Sequence, residues 1–243
     1  MENETMYPIV RRIISDFSPL LLDQVDKALK LSVTNFKRDL FPSIKEIDLA
    51  IPGAGFQHVI WVQHEPKFPF PGFDAIARPM KYLPTYLSSG MKFYTIARAV
   101  ARESGGHVEE CLKIFCSTLN PPIRGYRHLP LGTLAKRSEV IDSLGTDLGT
   151  SLSEFADTLI NPAKHEYGTG SPKPIISFPN ALGGYFASRI LGYQLLKKAG
   201  VLEDYIKAIN KAHSEGRVYY YPEDTDPGEY PAEWPLRNAL LEL

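Results

Sequence analysis

Cysteine is nearly absent: the 243-residue chain has two, Cys111 and Cys116. Both fall on what reads as one helix, too far round its axis for a bridge or a shared metal, so a disulfide framework and a zinc site are disfavoured. Neither sign of charge is in excess. With 27 Lys and Arg against 28 Asp and Glu, the bulk balance gives no general attraction to nucleic acid or an anionic membrane, and only a local basic cluster would serve. Long apolar runs are missing as well. The segment after the acidic start Met-Glu-Asn-Glu-Thr-Met is interrupted by Arg11, Arg12 and Asp16 before it reaches the length of a signal core, and no run approaches the ~20 residues of a membrane span. A cytoplasmic chain with no membrane partner is the expectation.

Several catalytic templates are absent too. Gly53-Ala-Gly55 lacks the third glycine and the lysine of a phosphate loop, no His-Glu-x-x-His spacing occurs, and no Gly-x-Ser-x-Gly elbow exists. His58 with His64-Glu65 supplies too few ligands to fix a metal geometry. Nothing in these patterns calls for a metal or a cofactor.

What remains is 44% hydrophobic and 23% charged, enough apolar material for a sizeable core, and its periodicity is helical. Val108, Cys111, Leu112, Phe115, Cys116 and Leu119 build one stripe over His107–Leu119, which places both cysteines in the core. Leu152, Phe155, Ala156, Leu159 and Ile160 repeat the pattern over Ser151–Asn161, with Ser151-Leu-Ser-Glu154 as a capping box at its start. Further helices are predicted over Leu20–Phe36, Met91–Glu103, Leu131–Leu144, Ala181–Ala199 and Leu202–Ala212. Lys197-Lys198 before Gly200 forms a cationic, glycine-capped stop. Strand signals are few: Val59–Val62, Ile175–Phe178 and Val218–Tyr221. Pro- and Gly-rich breaks at Glu65–Gly72, Asn120–Gly132, Gly168–Pro179 and Pro222–Pro235 carry aromatic and aliphatic residues, so they read as ordered loops rather than linkers. No internal repeat is visible. The fold class is mainly α: a single helical domain of about seven helices with a minor β or extended element, its core at 107–119, 151–161 and 181–199.

Three polar clusters are candidate sites. In Asn161-Pro-Ala-Lys164-His165-Glu166-Tyr167-Gly168, Pro162 disfavours helical geometry at Asn161 and bends the last turn. That projects His165 as a general acid or base beside Lys164; the competing reading is a cationic helix end that complements its dipole. Arg189 lies in a helix apolar nearly all round, where Gly183-Gly184 admits a close neighbour. Such an arginine pairs with a carboxylate, caps a helix, reaches solvent, or meets an anionic ligand. Arg124-Gly-Tyr126-Arg127-His128 sits in a proline-closed loop and suits phosphate binding or base stacking; a solvated loop is the alternative.

One further pattern resembles a known family. Arg102-Glu-Ser-Gly-Gly-His107 is similar to the Arg, four to six residues, His signature of the HEPN superfamily, helical proteins that include metal-independent ribonucleases. The resemblance covers six residues and implies that Arg102 and His107 form a rival site, with the Arg and His of two subunits meeting across a dimer. Here Gly105-Gly106 is predicted to break the helix between them.

The functional expectation is a metal-independent hydrolase or nuclease acting on a phosphate-containing substrate, with His165 as acid or base and Lys164 and Arg189 stabilising negative charge. The alternative is a non-catalytic interaction module or subunit. It would dock a protein partner through the acidic, proline-spaced aromatic segment 219–235 or through Phe68-Pro-Phe70-Pro-Gly-Phe73. A third reading is a helical pocket among the tyrosines for a small apolar ligand or cofactor. Oligomeric state is open.

Overall fold

In the computed structural model, residues 8–31, 41–51, 61–62, 93–164, 176–215 and 218–219 are described. They are mainly helical. The helices are α1 (Pro8–Phe17), α2 (Leu22–Ala28), α3 (Phe41–Ala50), α4 (Phe93–Thr118), α5 (Leu131–Leu134), α6 (Ser138–Leu144), α7 (Thr146–Phe155), α8 (Asn161–Lys164), α9 (Phe178–Lys198) and α10 (Leu202–Ser214). Short 3-10 turns occupy Pro19–Leu21 and Tyr126–His128, and a π turn over Ala156–Ile160 joins α7 to α8. Two two-residue strands, β1 (Trp61–Val62) and β2 (Val218–Tyr219), pair antiparallel with Trp61 opposite Tyr219.

The fold is organised around α9. Sixteen of its residues are buried, from Phe178 to Leu196, because its sequence offers almost no polar side to solvent. Its largest interface is with α4, followed by α1. Ser177 accepts a hydrogen bond from the Asn180 N–H at 3.2 Å, and Pro179 occupies the first turn. This cap and proline start the helix at Phe178 and take Ile176–Phe178 out of the strand expected over 175–178. At the other end Gly200 (φ 71°) follows Lys197-Lys198, and Val201 N–H returns to Leu196 O at 3.2 Å, the stop read from sequence.

The structure corrects other boundaries. α4 is continuous for 26 residues, so the two helices expected at 91–103 and 107–119 are one and Gly105-Gly106 is no break. The reason is packing: a Cβ on Gly105 would collide with the Ile160 side chain, and glycine is what lets the π turn approach α4. The expected capping box also fails. α7 begins at Thr146 after Gly145 (φ 87°), which leaves Ser151 buried in mid-helix. The segment 131–144 divides into α5 and α6: Leu131, Leu134 and Ala135 are buried on one face, while on one continuous helix Val140 and Leu144, also buried, would fall about 150° away. Helix 20–36 is shorter than expected; α2 ends at Ala28, and 32–36 lie outside the described residues.

Two helices were not anticipated. In α1, Ile9, Val10, Ile13 and Ile14 are buried, while Arg11 pairs with Asp26 at 2.9 Å and Arg12 with Glu154 at 2.8 Å. The charges that disqualified a signal core are the polar face of an amphipathic helix. In α3, Ile44 and Ile47, with Ile51 just beyond, form a similar stripe.

Pro162 has a different outcome from the one its sequence suggests. Asn161 is helical (φ −59°, ψ −46°), and the chain adapts one turn earlier. A proline ring crowds the carbonyl four residues back, and the wider π turn relieves that contact. The same turn presents Leu159 and Ile160 to two helices at once: Ile160 fills the space beside Gly105 of α4, and Leu159 the space beside Gly184 of α9.

Candidate ligand-binding groove

The carboxyl-terminal half of α4 has a polar side opposite its core stripe. Glu110, Lys113, Ile114, Ser117 and Thr118 recur at helical spacing along it and form one wall of a cavity of about 600 Å³. The chain then passes through Ile123, which is buried, to Gly125 in the left-handed region (φ 73°), and the 3-10 turn that follows returns Tyr126 and Arg127 alongside α4. Val201, Asp204 and Tyr205, at the start of α10, complete the lining.

Charge in the groove is unevenly committed. Lys113 is held by Glu109 at 2.8 Å and Glu110 at 3.1 Å, and Lys164 of α8 supplies Glu109 with a second cation at 2.8 Å, so the two carboxylates of this wall are matched by two lysines. Arg127 is exposed; its Nε donates to Tyr126 Oη at 3.1 Å and its guanidinium lies 5.7 Å from that ring's centroid. Nε is thereby anchored and the terminal nitrogens face no carboxylate among the described residues. Asp204, exposed in the first turn of α10, has no cation partner among them. Ser117 and Thr118 donate to the carbonyls of Ile114 (2.6 Å) and Phe115 (2.8 Å), which leaves their oxygens as acceptors. Tyr205 is nearly buried, and that burial raises its phenol above the ordinary value, with Cys111 and Glu110 acting the same way.

The sequence clusters are distributed differently from their order in the chain. Tyr126 and Arg127 line the groove, whereas Arg124 and His128 are exposed outside its lining. Lys164 pairs with Glu109 at 2.8 Å. Glu109 also accepts the Leu131 N–H at 3.1 Å, so one carboxylate ties α4 to α5 and α8. Burial pushes the Glu109 carboxyl upward, but the hydrogen bonds from Lys113 and Lys164, the Lys164 charge and the Leu131 N–H together hold it below its ordinary value. His165 lies outside the described residues, as do His58, His64 and segment 68–73. Of segment 219–235 only Tyr219 is described, in β2.

Arg189 is fully buried, so it does not reach solvent. Its Nε donates to Tyr185 Oη at 3.3 Å and its guanidinium stands 5.3 Å from the Tyr185 ring centroid, one turn away on α9. The rival pair is separated by the helix itself. Five positions turn α4 by about 140°; Arg102 faces solvent beside Glu103 at 3.5 Å, and His107 is buried with Nε2 4.0 Å from Cys111 Sγ. Burial raises the Cys111 thiol against the opposing Arg189 charge, and Cys116 is likewise pushed up to about 11 by burial. Neither presents a thiolate at neutral pH.

Among the described residues no three His, Cys, Asp or Glu side chains converge as metal ligands, and no helix is long and apolar enough to cross a membrane. Sequence reasoning missed Glu110, Lys113, Asp204 and Tyr205. The first two carry a signal, a polar stripe opposite the α4 core stripe; Asp204 reads from sequence only as an ordinary helix start. Compared with family models, with curated proteins and with solved structures, the chain matches none.

Proposed function

We propose that this chain is a helical binding module whose site is the groove between α4, the 126–128 turn and α10, and that it holds a small molecule there rather than transforming one. The observation that carries the reading is the cavity itself: about 600 Å³ falls in the ordinary size range of small-ligand sites, and two tyrosines, two aliphatic side chains and a few convergent polar groups are the usual lining of one. The polar groups proposed for hydrolysis lend less support. Lys164 is engaged by Glu109, and Arg189 is enclosed in the core, so neither is presented at the groove. A reducing, cytoplasmic setting suits two cysteines that are free and buried.

Native mass spectrometry of the purified chain tests this, with Ser117→Trp as the comparison, since Ser117 is exposed and a large side chain there fills the groove without entering the core. A small-molecule adduct present in the parent and lost from a folded Ser117→Trp variant is expected. An adduct that persists in the variant, or a chain that carries none and takes none up from a metabolite extract, would remove the groove as the site. Cleavage of RNA in chelator that is lost in His165→Ala would instead favour the hydrolytic reading.

A further inference from the structure

The groove's charges also specify what kind of molecule it holds, an inference that rests on the binding-module reading. Four ionised side chains line it: Glu110, Lys113, Arg127 and Asp204. Two cancel, because Lys113 is bonded to Glu110, while Glu109 just outside, which shares Lys113, is matched by Lys164. One cation, Arg127, and one anion, Asp204, stay open among the described residues, on different elements of the groove. The 3-10 turn carries the first and α10 the second. Ile114, Val201, Tyr126 and Tyr205 line the same cavity and together offer an apolar and aromatic surface.

A ligand that closed over this lining would desolvate both open charges. An anion alone would leave Asp204 unmatched and a cation alone would leave Arg127 unmatched; either carries the penalty of a charge removed from water without a partner. The guanidinium, with Nε already occupied, still presents terminal N–H groups to a planar acceptor. A singly charged carboxylate balances the single open cation there, whereas a phosphate dianion would retain a surplus negative charge. On the other side, an ammonium group donates in several directions, which suits Asp204 and the Ser117 and Thr118 oxygens, whose own hydroxyl protons are spent on α4 carbonyls.

We infer that the groove binds a zwitterion of roughly aromatic-dipeptide size, its carboxylate on Arg127, its amine on Asp204 and its apolar body over Ile114, Val201 and the two tyrosines.

The probe is the dipeptide phenylalanyl-phenylalanine, titrated into the full chain by calorimetry and followed by the methyl resonances of Ile114 and Val201. Three relatives isolate the charges: the N-acetylated dipeptide, the dipeptide amide, and the cyclic form, which keeps both rings and has no ionised end. The open dipeptide is expected to shift both methyls and to bind about tenfold more tightly than either capped form, the size of one charge-assisted contact. Arg127→Met should abolish the preference for the free carboxylate and leave the preference for the free amine. Asp204→Asn should do the reverse. If the cyclic form shifts the same methyls with equal affinity, the pocket stands and the zwitterion is overturned. Displacement of the dipeptide by inorganic phosphate at lower concentration than by acetate overturns the carboxylate assignment. If no member of the set moves either methyl, both the zwitterion and the groove as a binding site are refuted.

Discussion

Gly105 and Gly106 are neighbours on α4 and should respond to alanine in opposite senses. In a helix interior alanine is favoured over glycine by about 1 kcal/mol, because glycine gives up more backbone freedom on folding. At Gly106 a Cβ would meet nothing within 4 Å, so Gly106→Ala should gain nearly all of that, about 1 kcal/mol. In a chain of this size it raises the melting temperature by roughly 2–4 °C. At Gly105 the added methyl runs into Ile160, whose Cδ1 and Cγ1 would stand at 3.1 and 3.2 Å and whose Cγ2 lies closer still. Ile160 is 1% exposed and branched at Cβ, so it cannot swing away freely. Overpacking of this kind costs about 1–3 kcal/mol, which exceeds the propensity gain and leaves Gly105→Ala destabilised by up to ~2 kcal/mol. Urea unfolding followed by far-ultraviolet circular dichroism measures both variants. The cost at Gly105 should fall when Ile160→Ala is added, a coupling of roughly 1 kcal/mol or more between two residues in contact. Equal stability of the two glycine variants would refute the packing of the π turn against α4. A destabilised Gly106→Ala would refute the continuous helix.

Two further outcomes follow from burial and charge. Because the folded Glu109 carboxyl is held below its ordinary value of 4.5, its contribution is fully present above that value and is lost as pH falls through the lower folded value. Glu109→Gln should therefore be less stable by about 1–3 kcal/mol at neutral pH, and the gap should shrink below pH ~4.5; a gap unchanged down to acid unfolding would show that the Lys113 and Lys164 contacts contribute nothing. Cys111 and Cys116 are buried and protonated, so a thiol reagent should label them only as fast as the chain opens, and rapid labelling of native protein would contradict their placement in the α4 core stripe.

The parts of the fold that were legible in sequence are those where one face is apolar and the ends are marked. The stripe at Val108, Cys111, Leu112, Phe115 and Cys116, the largely buried helix before Gly200 and the helix from Leu202 all carry such signals. Errors arose where a local signal has two structural uses. Ser151 with Glu154 satisfies a capping box on paper, but the buried stripe continues back to Leu148, and burial of that leucine extends the helix past the cap. The Gly105-Gly106 pair is a breaker in an exposed helix; here Gly105 receives a side chain from elsewhere in the chain, which a linear reading does not contain. Charges in α1 interrupt a hydrophobic run in the linear sequence, yet at helical spacing they leave Ile9, Val10, Ile13 and Ile14 together on the inner side.

The groove was less legible because it is made of three segments whose polar residues each have an ordinary local explanation. Lys113 is a helix-surface lysine with carboxylates three and four positions back, Asp204 an acid in a first turn, Arg127 a loop cation. What distinguishes them is which charges remain open after the local pairs have formed, and that depends on Glu109. This carboxylate draws on Lys113 from one turn along α4, on Lys164 from α8 and on the Leu131 N–H from α5. It sits beside Glu110 in sequence, so the two compete for one lysine and share it. The cation of the groove wall is thereby committed to the scaffold that joins α4, α5 and α8, and the free positive charge is left to Arg127 on the returning turn. Residues singled out as a catalytic centre at Lys164 and as a binding loop at Tyr126 and Arg127 thus belong to adjoining sides of α4, linked through Lys113: one closes the helix packing, and the other borders the open cavity.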